Sequence, residues 1–89
     1  MEALFRLSIV TAEASVLEAH VSYVNLPTPF GSLGILARHA PMLCAVEKGI
    51  VRVKLENGQS ARVQVGDGVA SVADNELTVL VADGKVLEE

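Results

Sequence analysis

The residues best suited to chemistry in this sequence are a histidine and a cysteine five positions apart, His39 and Cys44. A thiol near an imidazole can act as a cysteine nucleophile, because the imidazole takes the thiol proton. Together with His20 the pair could also contribute to a zinc site, but such sites need more ligands at closer spacing. We favour a structural interpretation, in which Cys44 is a small apolar residue and His39 caps a turn before Pro41.

Two glycine-containing segments, residues 31–34 and 66–68, are candidates for phosphate-binding loops. A dinucleotide site needs Gly-x-Gly-x-x-Gly between a strand and a helix, and a P-loop needs a lysine followed by serine or threonine. Neither segment has these features, so both are interpreted as turns. No Ser-His-Asp arrangement can be singled out either. The sequence therefore predicts no catalytic residue, no cofactor and no metal.

The composition is that of one small folded domain spanning residues 1–89. With 51% hydrophobic and 20% charged residues, the chain is far from the polar balance of disordered segments. Eleven acidic residues against seven basic ones give a net charge of −4, whereas nucleic-acid binding needs a basic surface. The single cysteine cannot form an internal disulfide, which favours a reducing compartment.

Residues 19–37 contain no charged side chain over about the length of a membrane-spanning helix. The segment also contains two prolines, two glycines and Asn25, which would break such a helix. We therefore expect membrane association only through a partner.

Two further features concern the surface. Arg52, Lys54 and Arg62 lie close together in a predicted hairpin and form a local basic patch, which fits a solvated sheet face and a docking surface for an acidic partner equally well. Residues 27–52 hold more apolar side chains than a small monomer usually places in turns and short strands. These side chains either form a protein interface or fill the ends of the core.

The elements that must position these residues are predicted to be β-strands. Short runs rich in Val, Leu, Ile and Thr recur every eight to twelve residues, separated by Gly, Pro, Asn or Asp. Residues 12–20 have helical propensity but lack a capping box, so a strand is predicted there too. The predicted strands cover residues 4–10, 15–19, 21–26, 33–36, 43–46, 50–55, 61–65, 69–73 and 77–82.

Two hairpins have registers that the apolar pattern can determine, because directly opposed residues share a face. In the first, a three-residue loop ending at Gly58 in the left-handed conformation pairs Val53 with Ala61 and Val51 with Val63, which makes one face apolar. This register also sets Arg52 opposite Arg62. In the second, a two-residue loop at residues 74–75 pairs Val72 with Leu77 and Ala70 with Val79.

Several hairpins with one apolar face each must cover those faces with one another. We therefore predict an all-β fold, a flattened β-sandwich of two antiparallel sheets with about nine to ten short strands. The predicted core consists of Leu7, Ile9, Leu17, Val24, Leu26, Ile35, Val51, Val53, Val63, Val72, Leu77 and Val79.

Three segments in this order resemble the epsilon subunit of F-type ATP synthases: GSLGIL at residues 31–36, HAPML at 39–43 and GIVR at 49–52. Residues 11–13, 66–68 and 77–83 resemble the same family at the expected distances. The resemblance covers essentially the whole chain and is more specific than any single motif.

The resemblance implies a non-catalytic central-stalk (rotor) subunit, a β-sandwich that couples rotation of the c-ring and the gamma subunit to ATP synthesis. It implies a gamma-facing surface made of Thr11, His39, Ala40, Pro41, Met42 and Cys44. It implies a loop that approaches the c-ring, made of Pro29, Phe30, Gly31 and Ser32. The complex would lie at a bacterial inner membrane, on the cytoplasmic side, and use a proton or sodium gradient.

Two departures from the family pattern change these expectations. Many relatives carry an acidic residue where this chain has Ser32, so a charge-assisted contact with the c-ring is not expected at this position. Relatives commonly continue into a C-terminal helical hairpin, and without it no nucleotide binding and no self-inhibition are expected. The alternatives are a free-standing β-module that binds a ligand, or a hydrolase that uses Cys44 and His39.

Overall fold

The structure, a computed structural model, describes residues 3–87. These residues form β-strands and turns and no helix, as predicted. The strands are β1 (Phe5–Val10), β2 (Ser15–Thr28), β3 (Gly31–Leu36), β4 (Met42–Val46), β5 (Gly49–Leu55), β6 (Ser60–Val65), β7 (Gly68–Ala73), β8 (Glu76–Val81) and β9 (Gly84–Leu87).

Both predicted hairpin registers are confirmed. In β5–β6, Val53 lies opposite Ala61 and Val51 opposite Val63, and Gly58 closes the loop with a φ of 88°. That backbone conformation is readily available only to glycine.

In β7–β8, Val72 lies opposite Leu77 and Ala70 opposite Val79. Asp74 has a φ of 52°. With Asn75 at 61°, these are the dihedrals of the type I′ turn that suits a two-residue hairpin loop.

The strand predicted at residues 15–19 and the one predicted at 21–26 are one strand, β2, of 14 residues. No turn-forming residue separates them, so the chain continues through a register shift between Val21 and Tyr23. Val21 and Ser22 are both buried at this bulge, which interrupts the strand's alternation of inward and outward side chains. The bulge therefore lets one strand serve two sheets.

The two layers share β2. Sheet I contains β4, β7, β8, β1 and the first half of β2, in that order, and sheet II contains β3, the second half of β2, β5, β6 and β9. All strand pairs are antiparallel, as predicted, except β1 with β8, which are parallel. A parallel pair needs a long connection, and six strands lie between these two in sequence.

Strand β9 was not among the predicted strands. It is four residues long and pairs with β6 at the edge of sheet II. In the sequence, so short a run beside Asp83 and Gly84 is typical of a turn. Only its pairing with β6 in the structure shows that it is a strand.

Eleven of the twelve predicted core residues are buried, and Leu17 is half-buried against them. Each buried Val, Leu or Ile contributes about 1.5–3 kcal/mol relative to an exposed position. The Cα radius of gyration is 11.7 Å, close to the roughly 12 Å expected for this length. The principal extents of 34 × 30 × 24 Å confirm a flattened body. The core also includes Phe5, Val21, Val46, Val65, Ala70 and Val81.

Candidate partner-binding surface

The four residues expected to approach the c-ring lie together at the tip of the β2–β3 hairpin. Thr28 shapes this tip: its Oγ1 donates to the Gly31 carbonyl at 2.5 Å and accepts from the Phe30 N–H at 3.2 Å. Gly31 has a φ of 109°, a conformation that side chains disfavour. Phe30 is 98% exposed, so the core makes no use of this ring.

The loop between β3 and β4 carries His39, Ala40 and Pro41 and is fastened to the β7–β8 turn. Arg38 has a φ of 63°, and its N–H donates to Asn75 Oδ1 at 2.7 Å. His39 Nδ1 donates to the Ala40 carbonyl at 2.8 Å. These bonds hold the His39 region at the end of sheet I where β7 turns into β8.

Thr11 lies at the opposite end of sheet I. Its Oγ1 accepts hydrogen bonds from the backbone N–H groups of Glu13 at 3.3 Å and Ala14 at 3.2 Å, which shapes the β1–β2 turn. The preceding residue, Val10, pairs with Leu80 near the end of β8. The six residues expected to face gamma are therefore not one cluster.

Met42 and Cys44 lie on the core-facing side of β4. Their register partners Val72 and Ala70 are both buried, and both side chains are half-buried against the core. Burial raises the pKa of the Cys44 thiol. This lowers the thiolate fraction, the opposite of what a cysteine nucleophile needs.

The outward side of sheet I carries an apolar stripe that sequence reasoning missed. The register aligns Ala45 with Val69, Val69 with Leu80, and Leu80 with Val10. Leu43 is 76% exposed, and Val69 and Leu80 are each 46% exposed. We call Val10, Leu43, Ala45, Val69 and Leu80 the apolar stripe. The signal in the sequence is that β4, β7 and β8 carry apolar residues at both inward and outward positions.

A groove of about 510 Å³ joins the hairpin tip to β4. Residues 28–33 form one wall and residues 43–45 the other. Phe30 and Ser32 line one wall and Cys44 the other, so residues of both predicted partner sites line the same groove. Exposed apolar surface of this kind is typical of protein interfaces.

The described residues contain no group of three or more His, Cys, Asp or Glu side chains that could hold a metal ion. They also contain no helix long and apolar enough to cross a membrane.

The model of the family described as ATP synthase, Delta/Epsilon chain, beta-sandwich domain matches residues 4–85. The chain belongs to this family. The match covers every strand up to the start of β9, so it applies to the sandwich as a whole.

Curated relatives include chloroplast and bacterial proteins. The chloroplastic ATP synthase epsilon chain of Cyanidioschyzon merolae is 41% identical over 76 residues, 85% of this chain and 57% of that relative. The ATP synthase epsilon chain of Pelotomaculum thermopropionicum is 38% identical over 84 residues, 94% of this chain and 62% of that relative. The chain thus spans about three fifths of the length of these relatives.

Solved structures show the same fold. A chain in the cryo-EM structure of the Euglena gracilis mitochondrial ATP synthase has a TM-score of 0.89 at 24% identity and is matched over 57% of its length. A chain in the central stalk and c-ring structure of the Tetrahymena thermophila enzyme has a TM-score of 0.75 at 18% identity and is matched over 66% of its length. All of this chain aligns with the first structure and 93% of it with the second.

Proposed function

We propose that this chain is a non-catalytic central-stalk subunit of an F-type ATP synthase. In this role it couples rotation of the c-ring and gamma subunit to ATP synthesis. The observation that carries the proposal is the exposed apolar stripe on a chain of this family, because a small monomer gains nothing from leaving these side chains in water.

The apolar stripe is the surface proposed for the gamma subunit, with His39, Ala40 and Pro41 at one end and Thr11 at the other. Met42 and Cys44 support it from the core side of β4, while Leu43 supplies the exposed contact. A rotor contact of this kind needs an interface of at least about 1,000 Å² with apolar anchors and a polar rim.

The hairpin tip at Pro29, Phe30, Gly31 and Ser32 is the segment proposed for the c-ring. The exposed Phe30 ring supplies an apolar anchor, and the turn bonds of Thr28 hold it in place. Ser32 is exposed at the start of β3 and can offer a hydroxyl but no charge.

The placement of the complex belongs to the same proposal. Relatives of this chain occur in bacteria and in chloroplasts, and a central-stalk role places the chain beside an energy-converting membrane. We propose the cytoplasmic side of a bacterial inner membrane, with a proton or sodium gradient as the driving force.

Assembly with the organism's own gamma subunit and c-ring tests the proposal. Leu43→Ala with Leu80→Ala is expected to weaken the affinity for gamma about tenfold or more, because central apolar anchors dominate interface energies. Phe30→Ala is expected to reduce retention on the c-ring. Pull-down of the purified complex followed by titration of gamma measures both effects.

Leu36→Ala is the matched control, because Leu36 is exposed on the outward face of sheet II, away from the stripe. Met42→Ala is less suitable as a test, since its half-buried side chain also contributes to stability. Normal assembly of the Leu43→Ala/Leu80→Ala variant contradicts the proposed gamma surface. A chain that never associates with gamma or the c-ring is a free-standing module instead.

A further inference from the structure

The charges of this acidic protein are segregated by layer. Within their described bounds, the strand segments of sheet II contain no Asp or Glu, whereas four of the seven basic residues lie on them. These four are Arg52, Lys54, Arg62 and Lys85. We call the outward side of sheet II at these residues the basic face.

Strand alternation directs these side chains to the same side. Val51 and Val53 are buried, so Arg52 and Lys54 point outward and are exposed. The register sets Arg52 opposite Arg62. On the neighbouring edge strand Lys85 lies opposite Gln64, and both are exposed.

The arrangement sets two like charges opposite each other across the β5–β6 pair. Like charges directly opposite each other across two strands are destabilising, and Arg52 and Arg62 are such a pair. Within residues 3–87 the side chains of Arg52, Lys54 and Lys85 make no hydrogen bond or ion pair with another described residue. Arg62 already has an interaction partner of its own. Arg52, Lys54 and Lys85 are therefore the charges that a partner with negative charge would contact.

The rest of the molecule restricts what such a partner can be. Outside the basic face the sequence has three basic residues against eleven acidic ones, and Arg6 is already paired with Glu18 at 2.7 Å and Glu76 at 3.8 Å. Charges interact over roughly 8–10 Å at physiological salt. An extended anionic surface, such as a membrane or a nucleic acid, would therefore also be repelled by the acidic residues outside the basic face. A short acidic segment contacts the basic face alone.

We propose that the basic face is a second docking surface, which binds an acidic segment of a protein partner. Arginine forms paired hydrogen bonds with carboxylates, and Arg52 is placed to do so. Asn25 lies beside Arg52 and Tyr23 beside Lys54 in the register, which adds uncharged hydrogen-bonding groups. The face lies on the opposite side of the sandwich from the apolar stripe. It therefore does not depend on the gamma contact proposed above.

Binding of a fluorescent peptide of alternating Glu and Gly to the full chain tests the proposal. We expect binding that weakens as salt rises from about 50 to about 300 mM. Arg52→Gln with Lys54→Gln is expected to weaken binding about fivefold or more, because two charge contacts are lost. The control Lys48→Gln removes a basic residue that lies outside the strands of sheet II and should change binding less than about twofold.

The melting temperature separates lost contacts from lost structure. The Arg52 side chain makes no hydrogen bond or ion pair with another described residue, so Arg52→Gln should melt close to the wild-type temperature. Should the double variant unfold, amide shifts in the wild-type chain decide: the peptide must move those of Arg52, Lys54, Gln64 and Lys85. The proposal is overturned if the folded double variant binds the peptide as tightly as the wild-type chain, or if the peptide shifts only amides of sheet I. It is also overturned if the chain binds vesicles with about 30% phosphatidylglycerol but does not bind the peptide.

Discussion

Neighbouring residues of β4 have opposite environments. Cys44 lies on the core side of the strand opposite buried Ala70, whereas Leu43 is exposed on the apolar stripe. Burial raises the pKa of the Cys44 thiol above its ordinary value of 9.0 because the thiolate would lose hydration. The cysteine is therefore a packing residue, and Leu43 is the residue available to a partner.

The first prediction concerns the reactivity of Cys44. At about pH 8 iodoacetamide should alkylate Cys44 more slowly in the folded chain than in urea, because only the thiolate reacts. Mass spectrometry of samples quenched over time measures the rate. Equal rates in the two states would contradict the burial of the thiol.

The same shift affects stability at alkaline pH. Above pH 9.0 the unfolded chain loses the Cys44 proton before the folded chain does, so the free energy of unfolding falls as the pH rises. The control Cys44→Ala should lack this part of the decline. Urea unfolding at a series of pH values distinguishes the two chains.

The β7–β8 turn joins three parts of the chain. Asn75 Nδ2 donates to the Leu4 carbonyl at 2.9 Å, and Asn75 Oδ1 accepts from the Arg38 N–H at 2.7 Å. The Asn75 carbonyl also accepts from the Arg6 N–H at 3.2 Å. Asn75 thus joins the loop that carries His39 to the beginning of β1.

The second prediction compares the two residues of this turn. Asn75→Ala should lower the free energy of unfolding by about 2–4 kcal/mol, because two hydrogen bonds and a residue suited to positive φ are lost. Asp74→Ala should cost only about 1 kcal/mol, since Asp74 shares the positive φ but its side chain makes no hydrogen bond to another described residue. Urea unfolding of both variants measures the difference. Equal losses would mean that the Asn75 side-chain bonds contribute nothing.

In each sheet of the sandwich the central strands have hydrogen-bonded neighbours on both sides, whereas the edge strands have a neighbour on one side. Among the described strands of sheet I, β1 and β8 each have strands on both sides, whereas β4 pairs only with β7. Within the described part of sheet II, β9 pairs only with β6. The two outward faces differ in chemistry, one carrying the apolar stripe and the other the basic face, and this difference underlies the two docking surfaces proposed above.

The third prediction concerns hydrogen exchange across the whole chain. Amides of β1 and β8 should exchange most slowly, because their bonds break only when the sandwich unfolds, while β9 amides should exchange through local opening. NMR exchange of the free chain measures this order. Protection of β9 equal to that of β1 would show that the sandwich opens only as a unit.

Strand positions, hairpin registers and most of the core followed from the sequence alone. These features depend on local information: the alternation that places Val51 and Val53 on one side, and turn residues such as Gly58 and Asn75. The family could also be identified from the sequence, because three motifs occur in the order and at the spacing typical of that family.

Long-range pairing decided the rest. No local pattern shows that β1 lies parallel to β8, that β2 bends at a bulge to join two sheets, or that a four-residue β9 completes sheet II. The sequence also does not show which side of β4 is exposed. Leu43 and Cys44 are both apolar, so the alternation of side chains does not distinguish inward from outward positions. Only the packing of β4 against β7 places Cys44 toward the core and leaves Leu43 in water.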